Sequence, residues 1–284
     1  MMLRHYFSLV KFSHTLFAMP FACIGFAYGV KASPQFEWWR LGCMLLCMVF
    51  ARNAAMSFNR YADRFIDARN PRTAGREVPQ GVIAPKRALA FSIANAALFV
   101  AAAAYLNPLC GFLAPVALLL ILGYSYTKRF TWLCHAWLGL CLAVAPVGAY
   151  LAVAGTFAAL PCWFALTVLC WTAGFDILYS LPDEEFDKKE RLYSIPAAFG
   201  RRKAMRLSAL WHLAAGACVV IAGVAAHSHW KYWVGAAIFI VLLVYQHVII
   251  KPTDLRRLNA AFFTTNGIAS VAFAVWVIFD MLNC

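Results

Sequence analysis

Charge is scarce in this chain, and acidic charge is scarcer still: 13% of its 284 residues are charged, and only twelve are Asp or Glu. A soluble domain carries about 25% charged residues, so an ordinary water-facing surface is excluded. No stretch alternates apolar and polar residues over roughly ten positions, which excludes a transmembrane β-barrel. Among ten cysteines there is no CxxC pair. Nearly all lie in apolar runs, where free Cys packs as a small hydrophobe, so neither a disulfide framework nor cysteine-based metal or redox chemistry is indicated. The first apolar run is followed by no small-residue cleavage site and reads as a retained helix, not a signal peptide.

What the chain has instead is long apolar runs, with 63% hydrophobic and 15% aromatic residues. Crossing a ~30 Å hydrocarbon core takes roughly 20 residues, and runs of that order recur from end to end. Nine spans are predicted, at about 12–30, 41–58, 87–106, 108–127, 132–155, 160–180, 204–227, 231–250 and 258–283. The expected fold is therefore all-α: a polytopic membrane protein with nine transmembrane helices in one bundle and a central cavity opening to the cytoplasmic side. Short tails argue for one domain over 1–284.

The formal charge of +13 does not point to nucleic acid, because of where it sits. With the N-terminus inside, nine spans put 59–86, 128–131, 181–203 and 251–257 in the cytoplasm. Those segments, the N-terminal tail and the adjoining helix ends hold 22 of the 25 Lys and Arg residues; Lys31, Arg40 and Lys231 fall outside. This is the positive-inside bias of a membrane protein. It places the C-terminus outside; the expected location is a bacterial-type inner membrane.

Nine of the twelve acidic residues fall in two places: Asp63, Asp67 and Glu77 after the second span, and Asp176, Asp183, Glu184, Glu185, Asp187 and Glu190 around the end of the sixth. Both are cytoplasmic in this topology, so the two clusters can serve one face of a bundle. In the first, at 59–67, Asn59, Asp63 and Asp67 recur every four residues, which lines them along one helix face. In the second, at 176–187, Asp183 and Asp187 repeat the interval, Asp176 lies seven residues before Asp183, two helical turns back on the same face, and Tyr179 falls between. Charges beyond a membrane helix are commonly a solvated face. Here, however, like carboxylates four residues apart repel by about 0.2–0.5 kcal/mol, and Asp176 interrupts the apolar run from Trp171 to Leu181, where a carboxylate is costly and marks function.

Oxygen-ligand stripes of this kind suit Mg²⁺, which takes one or two protein carboxylates and completes its shell with phosphate oxygens. The interleaved cations Arg72, Arg76, Lys128, Arg129 and Lys189 suit a pyrophosphate. A pyrophosphate at the face of an apolar, aromatic-rich bundle implies a lipid substrate, and some of the aromatic rings can stabilise an allylic cation.

"NRYADRFIDARNPRTAGREVPQG" resembles the first motif of the UbiA-type intramembrane aromatic prenyltransferases, and "DILYSLPDEEFDKKERLYSIPAAFG" the second. "YSYTKRFT" is similar to the family's Tyr-x₃-Lys-Arg segment. The resemblance spans nearly the whole chain. It implies that Asn59, Asp63, Asp67, Asp183 and Asp187 hold Mg²⁺, with Asp176 as a further polar wall or ligand. It also implies that Arg72, Arg76, Tyr124, Lys128, Arg129 and Lys189 hold the diphosphate of a polyprenyl substrate. The implied reaction alkylates an aromatic acid, 4-hydroxybenzoate in the ubiquinone branch, and Asp176 is a candidate to order the phenol or take its proton.

The chain departs from the family pattern at Arg60, where Asp is common, at Tyr193, where Lys is common, and in the N-terminal segment carrying Lys11 and His14. Lys11, His14 and Tyr179 are candidate acceptor-binding residues, and the departures keep a naphthoate acceptor on a menaquinone route open. An ion-coupled transporter is the alternative of another class. It is disfavoured because the acidic stripes sit at one face and corresponding broken helices are missing. The Asp-Gly-x₂-Ala-Arg motif of CDP-alcohol phosphotransferases is absent. The expected surroundings are membrane lipid, with no nucleic acid and no indicated protein partner.

Overall fold

The computed structural model describes residue 9, residues 18–33 and residues 36–282. The described chain is helical almost throughout, with α1 Met19–Ala32, α2 Trp38–Ala62, α3 Arg64–Arg69, α4 Pro85–Leu106, α5 Pro108–Thr127, α6 Cys134–Ala154, α7 Ala159–Tyr179, α8 Glu184–Lys189, α9 Ile195–Phe199, α10 Arg201–Ala225, α11 Trp230–Ile249 and α12 Asn266–Met281. Among the described residues eight helices are long and apolar enough to cross a membrane: α2, α4, α5, α6, α7, α10, α11 and the segment Ala261–Met281. The first expected span begins outside the described residues. Its described part, α1, has 14 residues.

The helices sort into two compact units. The first contains Leu9 and residues 37–126; the second contains the described residues of 16–36 and 127–284.

In the first unit α2 and α4 are fastened by polar contacts inside an apolar setting, where such bonds and small residues hold helices together. Ser92 donates to the Ala54 carbonyl at 2.8 Å, Asn53 Nδ2 to Asn95 Oδ1 at 3.1 Å, and the Cys43 thiol to the Ala102 carbonyl at 3.2 Å. The hairpin from α4 to α5 falls where Asn107 precedes Pro108. Asn107 is extended (φ −170°, ψ 163°), as the residue before a proline prefers, and its side chain accepts the Cys110 N–H at 2.9 Å, capping α5.

The second unit is built on close helix approach and aromatic packing. A methyl group at Gly25 would collide with the Pro146 carbonyl, and one at Gly139 with the Leu169 carbonyl, so these two glycines set the α1–α6 and α6–α7 crossings. Phe21, Trp171, Phe239 and Phe273 form the centre, with ring centroids 5.4–6.0 Å apart where they meet. One buried polar knot crosses it: Trp171 Nε1 and Gln246 Nε2 both donate to Asn266 Oδ1, at 2.8 and 2.7 Å. Asp280, on α12, accepts the backbone N–H groups of His229 and Tyr232 and so caps the start of α11 from a neighbouring helix. Nine described cysteines are free thiols, most of them buried or half-buried.

Candidate active site

The first acidic motif grows out of the end of α2. Helical geometry lapses at Asp63 (φ −95°, ψ 7°), yet the i to i+4 ladder continues through it: Asp63 N–H donates to the Asn59 carbonyl at 2.9 Å, and Asp67 N–H to the Asp63 carbonyl at 2.7 Å. Asn59, Asp63 and Asp67 therefore keep the stripe that their spacing predicts. Asn59 Nδ2 donates to Asp63 Oδ2 at 2.7 Å and reaches Ser125 Oγ at 3.5 Å, while Arg60 Nη1 donates to Asn59 Oδ1 at 3.2 Å. Arg60 itself is buried.

Asp67 is buried as well, and a single nitrogen serves both of its oxygens: Arg76 Nη1 lies 2.8 Å from each. The loop that returns Arg76 is folded by its own side chains. Thr73 Oγ1 donates to the Asp67 carbonyl at 3.1 Å, and Asn70 Oδ1 accepts the Arg72 N–H at 2.9 Å. Asp67 and Arg76 had separate expected ligands, metal and diphosphate. The structure pairs them, leaving the remaining guanidinium N–H groups of the partly exposed Arg76 for an anion. Arg72 is exposed, and Tyr124, in the last turn of α5, is half-buried.

The second motif is not one helix. Asp176 lies in the last turn of α7; Leu181–Asp183 forms a 3₁₀ turn; Asp183 then precedes the first residue of α8, which carries Asp187. Pro182 explains the break, since it has no N–H to donate to the carbonyl four residues back and its ring crowds that carbonyl, and the chain tightens to a 3₁₀ turn there. The expected two-turn register from Asp176 to Asp183 on one face is corrected accordingly, whereas the interval from Asp183 to Asp187 stands.

Asp183 and Asp187 are buried. Lys128 Nζ lies 3.0 and 3.4 Å from the two oxygens of Asp187. Burial disfavours the ammonium charge, but Asp187 and Asp183 together outweigh that cost and hold the Lys128 pKa above its ordinary value, so it is charged at neutral pH. Asp176 meets a residue that sequence reasoning missed: His135 Nδ1 is 2.7 Å from its Oδ2. Nothing local in the sequence marks His135, which lies 41 residues away in an apolar run.

Glu184, by contrast, is occupied by Lys188 at 2.6 Å and Arg201 at 3.1 Å. Lys189 and Arg129 are exposed, and Tyr179 stacks on Phe262 with centroids 4.0 Å apart. Lys11 and His14 lie outside the described residues.

Among the described residues no group of three or more His, Cys, Asp or Glu side chains converges as a ready metal cage. What exists is oxygen donors in small sets, Asn59 with Asp63 in one unit and Asp183 with Asp187 in the other. That donor chemistry fits Mg²⁺, which keeps waters and takes substrate phosphate oxygens in preference to an all-protein cage.

A model of the UbiA prenyltransferase family matches residues 18–268 of the chain. The chain belongs to the UbiA prenyltransferase family. Among similar UbiA relatives is a 4-hydroxybenzoate octaprenyltransferase of Shewanella pealeana, 32% identical over 76% of this chain and 74% of the relative. The enzyme of the same name from Aeromonas hydrophila is 30% identical over 84% of this chain and 83% of its own length. Among solved structures, the apo UbiA homolog from Aeropyrum pernix K1 is 31% identical, with a TM-score of 0.85 over 94% of this chain and 98% of that one. A UbiA homolog from Archaeoglobus fulgidus, solved bound to GPP and Mg²⁺, shares the fold with a TM-score of 0.73 at 23% identity, over 98% of this chain and 99% of that one.

Proposed function

We propose that this integral membrane protein transfers a polyprenyl group from its diphosphate to an aromatic acid, with 4-hydroxybenzoate as acceptor, in the prenylation step of ubiquinone-type quinone synthesis. The observation that carries this reading is a repeated one. Each unit has a stripe of oxygen ligands with a cation already seated on a buried member of it, Asp67 with Arg76 in the first and Asp187 with Lys128 in the second. The curated relatives bear the name of this activity.

Asn59, Asp63, Asp67, Asp183 and Asp187 would hold Mg²⁺, which when bound neutralises charge developing on the leaving diphosphate. Arg76 and Lys128, with Arg72, Tyr124, Arg129 and Lys189, bind the diphosphate oxygens and steady them as the C1–O bond of the prenyl group breaks. The ring carbon beside the acceptor hydroxyl then bonds to prenyl C1, and the ring proton leaves. Asp176 orders the phenol or takes the proton of its hydroxyl. The apolar, aromatic interior keeps water from the cation. The chain acts as one domain over 1–284, in a bacterial-type inner membrane with the N-terminus cytoplasmic and the C-terminus outside.

A naphthoate acceptor is the second reading. The observation that favours it is Arg60, buried and bonded to Asn59 where the family commonly has Asp. One experiment tests both: membranes carrying the protein are given a labelled prenyl diphosphate and a panel of benzoates and naphthoates, and products are identified by mass. Transfer to 4-hydroxybenzoate, with Mg²⁺ and not with EDTA, is expected. Product from naphthoates alone selects the second reading. Absence of any prenylated product, or turnover in EDTA, overturns the proposal, and vesicles that move an ion or solute without diphosphate release would indicate a transporter.

A further inference from the structure

His135 stands in "TWLCHAWLG", the second residue of α6, and is 1% exposed. A polar ring in that position is tolerated only if both nitrogens are satisfied, and both are. Ile195 N–H donates to Nε2 at 3.3 Å. A backbone N–H can only donate, so Nε2 is the acceptor of that bond, and the hydrogen shared with Asp176 Oδ2 at 2.7 Å is carried by Nδ1. The tautomer is thus fixed by the backbone.

Asp176 keeps part of its surface open, its side chain being 16% exposed, and its Oδ1 has no hydrogen-bond partner among the described residues. One oxygen is anchored and the other is presented.

The segment that supplies Ile195 is itself tied down. Tyr193 N–H donates to the Lys128 carbonyl at 2.7 Å, and the Cys134 thiol approaches the Tyr193 carbonyl at 3.6 Å. Ser194 Oγ accepts the Ala197 N–H at 3.3 Å. Lys128, at the other end of these links, holds Asp187. His135 therefore joins the α7 carboxylate to the same strip of backbone that is fastened beside the Asp187 cation.

We propose that His135 is a positioning residue: by accepting from Ile195 and donating to Asp176 it fixes the direction in which the Asp176 carboxylate presents its free oxygen to the aromatic acceptor. This rests on the prenyltransferase reading and adds to it a residue outside both acidic motifs. The acceptor class it serves is a phenol or enol that offers a hydrogen to a carboxylate. Positioning of this kind affects rate steeply, since a 1 Å misplacement of a reacting group can cost about 100-fold.

Two substitutions separate the two bonds. The Asn amide overlays Nδ1, so His135→Asn retains a donor for Asp176 and loses the acceptor for Ile195. The Gln amide overlays Nε2, so His135→Gln retains the acceptor and loses the donor. In purified protein with saturating prenyl diphosphate, His135→Gln is expected to lower kcat/KM for the acceptor about 100-fold and to leave KM for prenyl diphosphate unchanged. His135→Asn should stay within about 10-fold of wild type, because it keeps the donor that sets the carboxylate's direction.

In the double variant His135→Gln/Asp176→Asn, the histidine change should cost nothing further, since residues acting as a unit are non-additive. Melting midpoints of the four proteins of that cycle give a readout independent of turnover, and they should be non-additive as well.

Acceptor kinetics unchanged in His135→Gln, equal kinetic losses in the Asn and Gln variants, or additive melting shifts would each overturn the positioning role. A wild-type protein that prenylates no acceptor overturns the functional reading instead, and the melting cycle then still decides whether His135 and Asp176 are coupled.

Discussion

The carboxylates of the first acidic motif are held by their own segment, whereas those of the second are held from far along the chain. Asp67 is gripped by Arg76, nine residues on, and Asp63 by Asn59, four residues back. Asp187 is gripped by Lys128, 59 residues away, and Asp176 by His135, 41 residues away. The chemistry is the same, a buried oxygen pair with a cation or N–H donor upon it. The first motif is a local device that its loop can form by itself. The second exists only once the turn at 128–131, α6 and α7 have packed within their own unit.

The largest expected effect of breaking either device is on turnover. Asp63→Asn and Asp183→Asn, each at unchanged expression, should lower prenyl transfer by on the order of 10²–10³-fold, the scale of removing one group that stabilises developing charge. Product formation measured in membranes checks both, and a motif whose variant retains full activity would lose its place in the site.

Next comes stability. Arg76→Ala and Lys128→Ala each leave a buried carboxylate without its cation, and each should destabilise the protein by about 3 kcal/mol, the low end for a broken buried pair because both cations are partly exposed. Thermal melting in detergent is the measurement. Limited proteolysis sharpens the comparison: the Arg76 variant should become sensitive around residues 70–80, and the Lys128 variant both near 128–131 and near 190–195.

A smaller loss is expected for Ser194→Ala. It removes the side-chain cap of α9 and should cost about 1 kcal/mol, with acceptor kinetics more affected than prenyl diphosphate kinetics if the 193–195 strip also serves Asp176. The smallest effect belongs to Glu184→Gln. Glu184 is engaged by the exposed Lys188 and by Arg201 at the rim, so less than about 1 kcal/mol of stability and less than a twofold change in turnover should follow.

How much of this was legible beforehand follows the same division. The apolar runs fix helices without reference to anything distant, and the boundary at Asn107 and Pro108 falls where the residue before a proline must leave helical geometry. The stripe of Asn59, Asp63 and Asp67 was legible because its ladder is one helix continued through a single irregular residue. The face shared by Asp176 and Asp183 was misread because an unbroken 3.6-residue period was assumed across Leu181 and Pro182, where the chain tightens to a 3₁₀ turn.

Hydropathy, charge placement and helical spacing are properties of neighbouring residues, so a helical membrane protein with two acidic motifs is legible in the chain itself, while the UbiA-type chemistry rests on the resemblance of those motifs. That Lys128 belongs to Asp187, and that a histidine inside an apolar run fastens Asp176, follows only from the packing of segments far apart in the chain. Those pairings are the result of burial: a carboxylate removed from water must find a donor wherever packing brings one, and packing is not a function of distance along the chain.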